Sequence, residues 1–365
     1  MPCNHLTSSR PYRVYGMSQS YFTRKMTGYL AYKGIPHLLR RFAGANPAAR
    51  AAGWHGGIPV VMTPDGQYMW DTTAMIHHLE LRFPAPSVLP DDRVQRFLCY
   101  AIEDVLDEWF YRPAVGSRWF YEENYRVGGW ELARDITHEA QVAGDQAYAT
   151  VKNYVTATCE PFGVSAANVG SWIEEILKPW LSVTSAHLAA HPYFFGARPS
   201  LADFAFFGSN AAHFINDPNC RRWVDAEGPS IVAHTHRLDE PEDQEFGDWS
   251  ELGDLQGTLI AVLADLGRLY LPWVSRAAVD GKAELIFASG DRVEITATPF
   301  IREARRVLLA RYVEHRCDAL DSLLERAGIL SYYAGYIDHA GTVPDYNNPP
   351  RPDFNRPFAP PWEME

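Results

Sequence analysis

The strongest constraint on the fold is a β-α-β run across residues 12–42, followed by a proline-opened hairpin over 58–70. Tyr12-Arg13-Val14-Tyr15-Gly16-Met17 alternates as a half-buried strand does. Helix 21–33 then presents Phe22, Met26, Tyr29, Leu30 and Lys33 on one mostly apolar face. Gly34 and Pro36 stop it, and 36–42 reads as a second strand. Residues 45–53 are alanine-rich, with Pro47 at a first-turn position, which predicts a short helix. Strands 58–62 and 68–70 flank Thr63-Pro64-Asp65-Gly66, where proline presets φ and Asp-Gly tolerates left-handed geometry. Pro59 cannot donate to a ladder, so it opens an edge-like strand. Cis bonds are a minority before proline, yet the surrounding pattern predicts one at Ile58-Pro59. It would turn the Ile58 backbone groups outward to pair with a ligand backbone.

Ser20 falls at the first turn of helix 21–33, where unpaired N–H groups and the helix dipole favour an anion. Asp71 and Thr72 open helix 73–82 in the same way. A hydroxyl, a free backbone edge and an acid placed for an amine suit a small zwitterionic peptide whose thiol is held as thiolate. The plainer reading is capping: Ser18 or Ser20 for one helix, Asp71 or Thr72 for the other. Both roles can coexist.

The runs Ser20-Tyr21-Phe22-Thr23-Arg24-Lys25, Ala31-Tyr32-Lys33-Gly34-Ile35-Pro36, Gly57-Ile58-Pro59-Val60-Val61 and Asp71-Thr72-Thr73-Ala74-Met75-Ile76 occur in that order. They resemble the thioredoxin-like domain of the soluble glutathione transferases. A further anchor, Pro199-Ser200-Leu201-Ala202-Asp203-Phe204-Ala205, is similar to that family's buried capping-box helix. The resemblance implies a serine-type member, in which Ser20 supports the glutathione thiolate and Ile58 pairs with the cysteinyl backbone beside the cis Pro59. It implies that Asp71 and Thr72 meet the γ-glutamyl end, with an acid one methylene shorter than the family's usual residue. Gly56 and Gly57 stand where members often carry Lys or Gln for the glycyl carboxylate, leaving His55 as the nearest polar group; an ordinary loop histidine is its rival reading.

The chain of 365 residues is long enough for two or three domains with ample core. Its net charge of −12 argues against nucleic acid or an anionic membrane as a general partner. The five cysteines (Cys3, Cys99, Cys159, Cys220, Cys317) are scattered and free of any C-x-x-C, which points to a reducing, cytoplasmic setting. Residues 1–10 show no signal-peptide core. The apolar stretch 259–274 is interrupted by Asp265, Arg268 and Pro272, so no transmembrane helix is expected.

The expected fold class is α/β plus all-α. A thioredoxin-like domain (1–86, mixed four-stranded sheet) leads to an all-helical domain (90–235) and a C-terminal extension (236–365). From Asp91-Asp92 a long amphipathic helix runs through Val94, Phe97, Leu98, Ala101, Ile102, Val105 and Leu106. By resemblance it overlooks an electrophile pocket, and Trp109, Tyr111, Arg118, Trp119 and Tyr121 are candidates to line it. Aromatic stripes at helical spacing more often pack core or a subunit contact. Helices are also predicted at 135–154 and 171–190, with Ser200 and Asp203 as a capping box. Residues 239–254 hold eight acids and no Lys or Arg, and read as a solvated loop. Beyond it, helices at 257–274 and 298–328 enclose a hairpin of 283–288 and 292–297, and the Pro-rich end from Asn347 reads as extended. His77-His78 and His234-x-His236 lack further ligands at metal-site spacing, so no metal is expected. The expected function is a glutathione-dependent transferase or lyase acting on a hydrophobic electrophile, by conjugation, ether cleavage or dehalogenation, as a homodimer. Its rival is a glutathione-fold binding protein without turnover. A cysteine-type reductase is disfavoured, because Ser20 cannot form a mixed disulfide.

Overall fold

The computed structural model describes residues 10–41, 46–54, 56–136 and 144–353. Four short strands, β1 (Tyr12–Tyr15), β2 (His37–Arg40), β3 (Val60–Met62) and β4 (Tyr68–Trp70), form one sheet in the order β2-β1-β3-β4. β1 pairs parallel with β2 through Tyr12↔His37, and antiparallel with β3 through Val14↔Val61. β3 and β4 close the expected hairpin. Alternation sorts the side chains: Val14, Val61 and Met69 join the main core, while Tyr15, Val60 and Trp70 enter a smaller cluster with Ala49 and Trp54. Helices α1 (Tyr21–Tyr32), α2 (Asn46–Ala51) and α3 (Thr72–Arg82) complete this thioredoxin-like domain. The Ile58-Pro59 bond is cis, as the sequence pattern predicts.

The remainder is helical. Asp92 caps α4 (Arg93–Glu108) by accepting from Gln95 N at 2.9 Å, and α5 (Tyr111–Phe120) follows. Helix Leu201–Ser209 crosses α1 closely, and a Cβ at Gly28 would fall 2.5 Å from the Phe207 ring. The Ser200–Asp203 capping box is present. Asp203 also accepts from Phe194 N at 3.0 Å and meets His234 Nε2 at 2.9 Å, so that histidine is committed to core structure.

Of the run expected over 135–154, residues 135–136 end helix Glu122–Ile136 and residues 144–154 lie in helix Gly144–Cys159, while 137–143 lie outside the described residues. Two other predicted long helices are broken. The run over 257–274 divides into Leu252–Leu266 and Tyr270–Asp280, bent by 43°. At the bend a Cβ on Gly267 would meet Ile329 Cγ2 at 2.6 Å, so the corner packs against a residue far along the chain. The run over 298–328 divides into Pro299–His315 and Asp318–Arg326. There Arg93 donates to the carbonyls of Glu314, His315 and Arg316 at 3.1–3.2 Å, satisfying acceptors that a continued helix would have used. The hairpin of β5 (Lys282–Ile286) and β6 (Arg292–Thr296) forms as expected. Glu175 clamps its turn by accepting from Ala288 N and Ser289 N at 2.6 and 2.9 Å.

The end of the chain returns to the first domain. Trp70 N donates to Pro350 O at 3.1 Å, Trp70 Nε1 to Pro352 O at 3.0 Å, and Arg351 Nε to Tyr68 O at 2.7 Å. Residues 344–353 therefore run as a strap beside β4, an edge strand of the sheet. No single helix among the described residues is long and apolar enough to cross a membrane.

Candidate functional site

Ser20 is the N-cap of α1, with φ −87° and ψ 129°, and its Oγ accepts from Thr23 N at a long 3.4 Å. It is half-buried. The preceding residue is fixed from outside the domain: Arg118 Nη1 donates to Gln19 O at 2.8 Å, while Arg118 Nε holds Asp217 at 2.9 Å. Arg118 is thus committed to a buried ion pair that sets the loop leading into Ser20. Ile58 lies half-buried just ahead of β3, with Pro59 buried beside it. His55 lies outside the described residues.

Asp71 caps α3, accepting from Thr73 N at 3.2 Å and Ala74 N at 3.3 Å. Its backbone has φ 74° and ψ 106°, the one positive φ among described non-glycine residues. Such geometry costs about 1–3 kcal/mol and is concentrated at functional sites. Thr72 is buried as the first residue of α3. Asp71 and Thr73 open onto a cavity of about 320 Å³, within the range of small-molecule sites. Its other walls carry Glu103, Asp104 and Asp107 from α4, Arg311 from helix Pro299–His315, and Tyr346 and Arg351 from the strap.

Lys25 joins these elements and escaped the sequence reading. It is 0% exposed, and its Nζ donates to Glu103 Oε1 at 2.6 Å, to Asp107 Oδ2 and to Thr73 Oγ1 at 3.2 Å. The available signal was a charge on the apolar face of α1, three residues after Phe22 and four before Tyr29, answered by acids among Ile102, Val105 and Leu106 on α4. Burial pushes the Asp107 carboxyl up to about 7, outweighing the neighbouring Lys25 charge that pulls it down. Lys25 is itself held above its ordinary value, because the two carboxylates together outweigh its burial.

The expected electrophile wall is largely consumed by packing. Trp109 is enclosed by Trp172, Tyr270 and Trp273, and the Arg112 guanidinium lies over Trp109 and Trp273. Trp119 is buried edge-on to Tyr125. Tyr111 is half-buried, stacked on Phe22 at 5.7 Å and nearly perpendicular to the Phe162 ring, and remains beside the N-terminal turn of α1. Tyr121 packs against Trp223. Burial pushes the Cys99 and Cys159 thiols up to about 12, so both are un-ionised near neutrality.

Residues 14–87 match the family model described as the glutathione S-transferase N-terminal domain. No curated protein matches the chain. Among solved structures, the chain is similar to a glutathione S-transferase from Methylobacterium radiotolerans in complex with glutathione sulfonate. That match has 18% identity and a TM-score of 0.38, covering 66% of this chain and 97% of the other. A glutathione S-transferase from Rhodospirillum rubrum is similar at 18% identity and a TM-score of 0.39, with 64% and 88% covered. Another, from Methylobacillus flagellatus with glutathione bound, is similar at 16% identity and a TM-score of 0.34, with 62% and 93% covered.

Proposed function

We propose that this chain, whose residues 14–87 match the glutathione S-transferase N-terminal domain model, is a glutathione-dependent transferase or lyase. Glutathione thiolate, held by the Ser20 hydroxyl and the first turn of α1, attacks a hydrophobic electrophile by conjugation, ether cleavage or dehalogenation. Ile58 pairs with the cysteinyl backbone beside Pro59, and Asp71 and Thr72 take the γ-glutamyl end. Tyr111 is the electrophile-side residue this reading favours. The proposal includes a cytoplasmic homodimer, which light scattering on the purified protein tests. The observation that carries the reading is the domain match over 14–87, a segment that contains Ser20, Ile58, Pro59, Asp71 and Thr72.

The decisive experiment follows thiolate absorbance of bound glutathione against pH. A Ser20→Ala substitution is expected to raise the pKa of the bound thiol and to lower turnover at neutral pH. The deficit shrinks as pH rises, because the thiol then ionises without help. If Ser20 acts only as a cap, alanine costs about 0.5–2 kcal/mol of stability and leaves the titration unmoved.

One observation favours a second reading, a glutathione-binding protein without turnover. Trp109, Arg118 and Trp119, expected to wall an electrophile pocket, are occupied in core packing and a buried ion pair. Retention on immobilised glutathione without turnover of a broad electrophile panel would select it.

A further inference from the structure

Arg311 is 5% exposed, yet it has no anionic partner among the described residues. One Nη meets His77 Nε2 at 2.8 Å and Tyr346 Oη at 3.0 Å, and its guanidinium carbon lies 3.8 Å over the Tyr100 ring. Burial, and then the Arg311 charge itself, hold His77 well below the usual histidine range, so the imidazole is a neutral acceptor. No carboxylate among the described residues comes within ion-pair reach of this guanidinium. A buried charge left with neutral partners is costly unless something else neutralises it. The same side chain lines the cavity that Asp71 enters.

The guanidinium defines a ligand class. Arginine supplies a planar fork suited to a carboxylate. Asp71, Glu103 and Asp107 line the same cavity, and Glu103 and Asp107 already accept from Lys25 Nζ and Thr73 Oγ1. A buried guanidinium whose partners are neutral, in a cavity that Asp71 also lines, matches the α-carboxylate of a γ-glutamyl group placed at Asp71 and Thr72. We infer that Arg311 binds the α-carboxylate of the γ-glutamyl residue of glutathione, in a subsite walled by the C-terminal strap. This rests on the glutathione reading above and adds the residue by which the extension contributes to the site. Tyr346 is a positioning residue: its hydroxyl accepts from Arg311, its ring stacks on His77 at 4.7 Å, and its carbonyl is held by His78 Nδ1 at 2.7 Å.

Calorimetry with two ligands tests this, using the full chain. One ligand is glutathione; the other is 4-aminobutanoyl-cysteinylglycine, which keeps the ammonium and lacks the α-carboxylate. Arg311→Met should weaken glutathione roughly ten- to a hundredfold and leave the analogue's affinity unchanged. Arg311→Lys, which keeps the charge without the fork, and Tyr346→Phe should weaken glutathione by smaller factors, again with no effect on the analogue. These milder variants serve if Arg311→Met does not fold. Equal binding of both ligands to the wild-type protein, or equal losses in the variants, would overturn the inference. If the wild-type protein binds no glutathione, the function reading fails, and glutamate becomes the probe of the cavity. Glutamate binding that Arg311→Met abolishes would sustain the carboxylate site, and absence of glutamate binding would end it.

Discussion

Asp71 carries two demands in one residue. Its carboxylate accepts from Thr73 N and Ala74 N, which stabilises the start of α3, while its φ of 74° is a conformation that side chains disfavour. The two contributions separate under substitution. Asp71→Ala loses the cap and keeps the backbone cost, so it should lower stability by about 0.5–2 kcal/mol. Asp71→Gly also loses the side chain, but glycine adopts positive φ freely and caps almost as well. It should therefore unfold at higher urea than the alanine variant, by about 1 kcal/mol or more. Both should lose glutathione affinity. Equal stabilities would show that the backbone at residue 71 relaxes without cost. The sequence reading recognised Asp71 as a cap and a candidate ligand residue. The positive φ was not legible there, because it is imposed by how β4 meets α3 and not by Asp71 itself.

At the scale of elements, the contacts that set the site come from helices distant in sequence. Arg118 on α5 reaches both Gln19, ahead of α1, and Asp217, ahead of helix Pro218–Glu227. Removing Asp217 leaves a guanidinium buried without its counter-charge, and breaking such pairs costs about 3–5 kcal/mol. Asp217→Ala should therefore lower the unfolding free energy by that amount, seen as a lower urea midpoint. Glutathione affinity should fall as well, since the loop entering Ser20 loses its anchor. An unchanged midpoint would mean that water replaces the pair. The sequence showed Arg118 only as part of an aromatic-rich helix, because an ion pair across ninety-nine positions leaves no periodic trace. The helix breaks were hidden for a related reason. Arg93 ends helix Pro299–His315 by taking its last carbonyls, and no residue within that helix announces it.

For the whole molecule, the Lys25–Glu103–Asp107 cluster couples the thioredoxin-like domain to α4, and it predicts a pH dependence. Asp107 ionises near 3.8 when unfolded, and burial moves it to about 7 when folded. Between those values the native state holds a proton that the unfolded chain releases, so this group's contribution to stability declines as pH rises from about 4 to 7. Asp107→Asn removes that slope, and thermal unfolding of both proteins across this range checks it; parallel curves would show that Asp107 ionises normally. The sequence by itself determined the strand and helix order of residues 12–82, the Ile58-Pro59 turn, the capping box at Ser200 and a hairpin over 283–297. Each is encoded in local periodicity or turn chemistry, which neighbouring residues suffice to express. Tertiary structure alone decided that Trp109 and Arg118 are internal, that Lys25 bridges two elements, and that residues 344–353 cross β4 to wall a cavity with Arg311. Those outcomes depend on which surfaces meet once the helices pack, and burial and pairing across such contacts leave no spacing signal in a single chain.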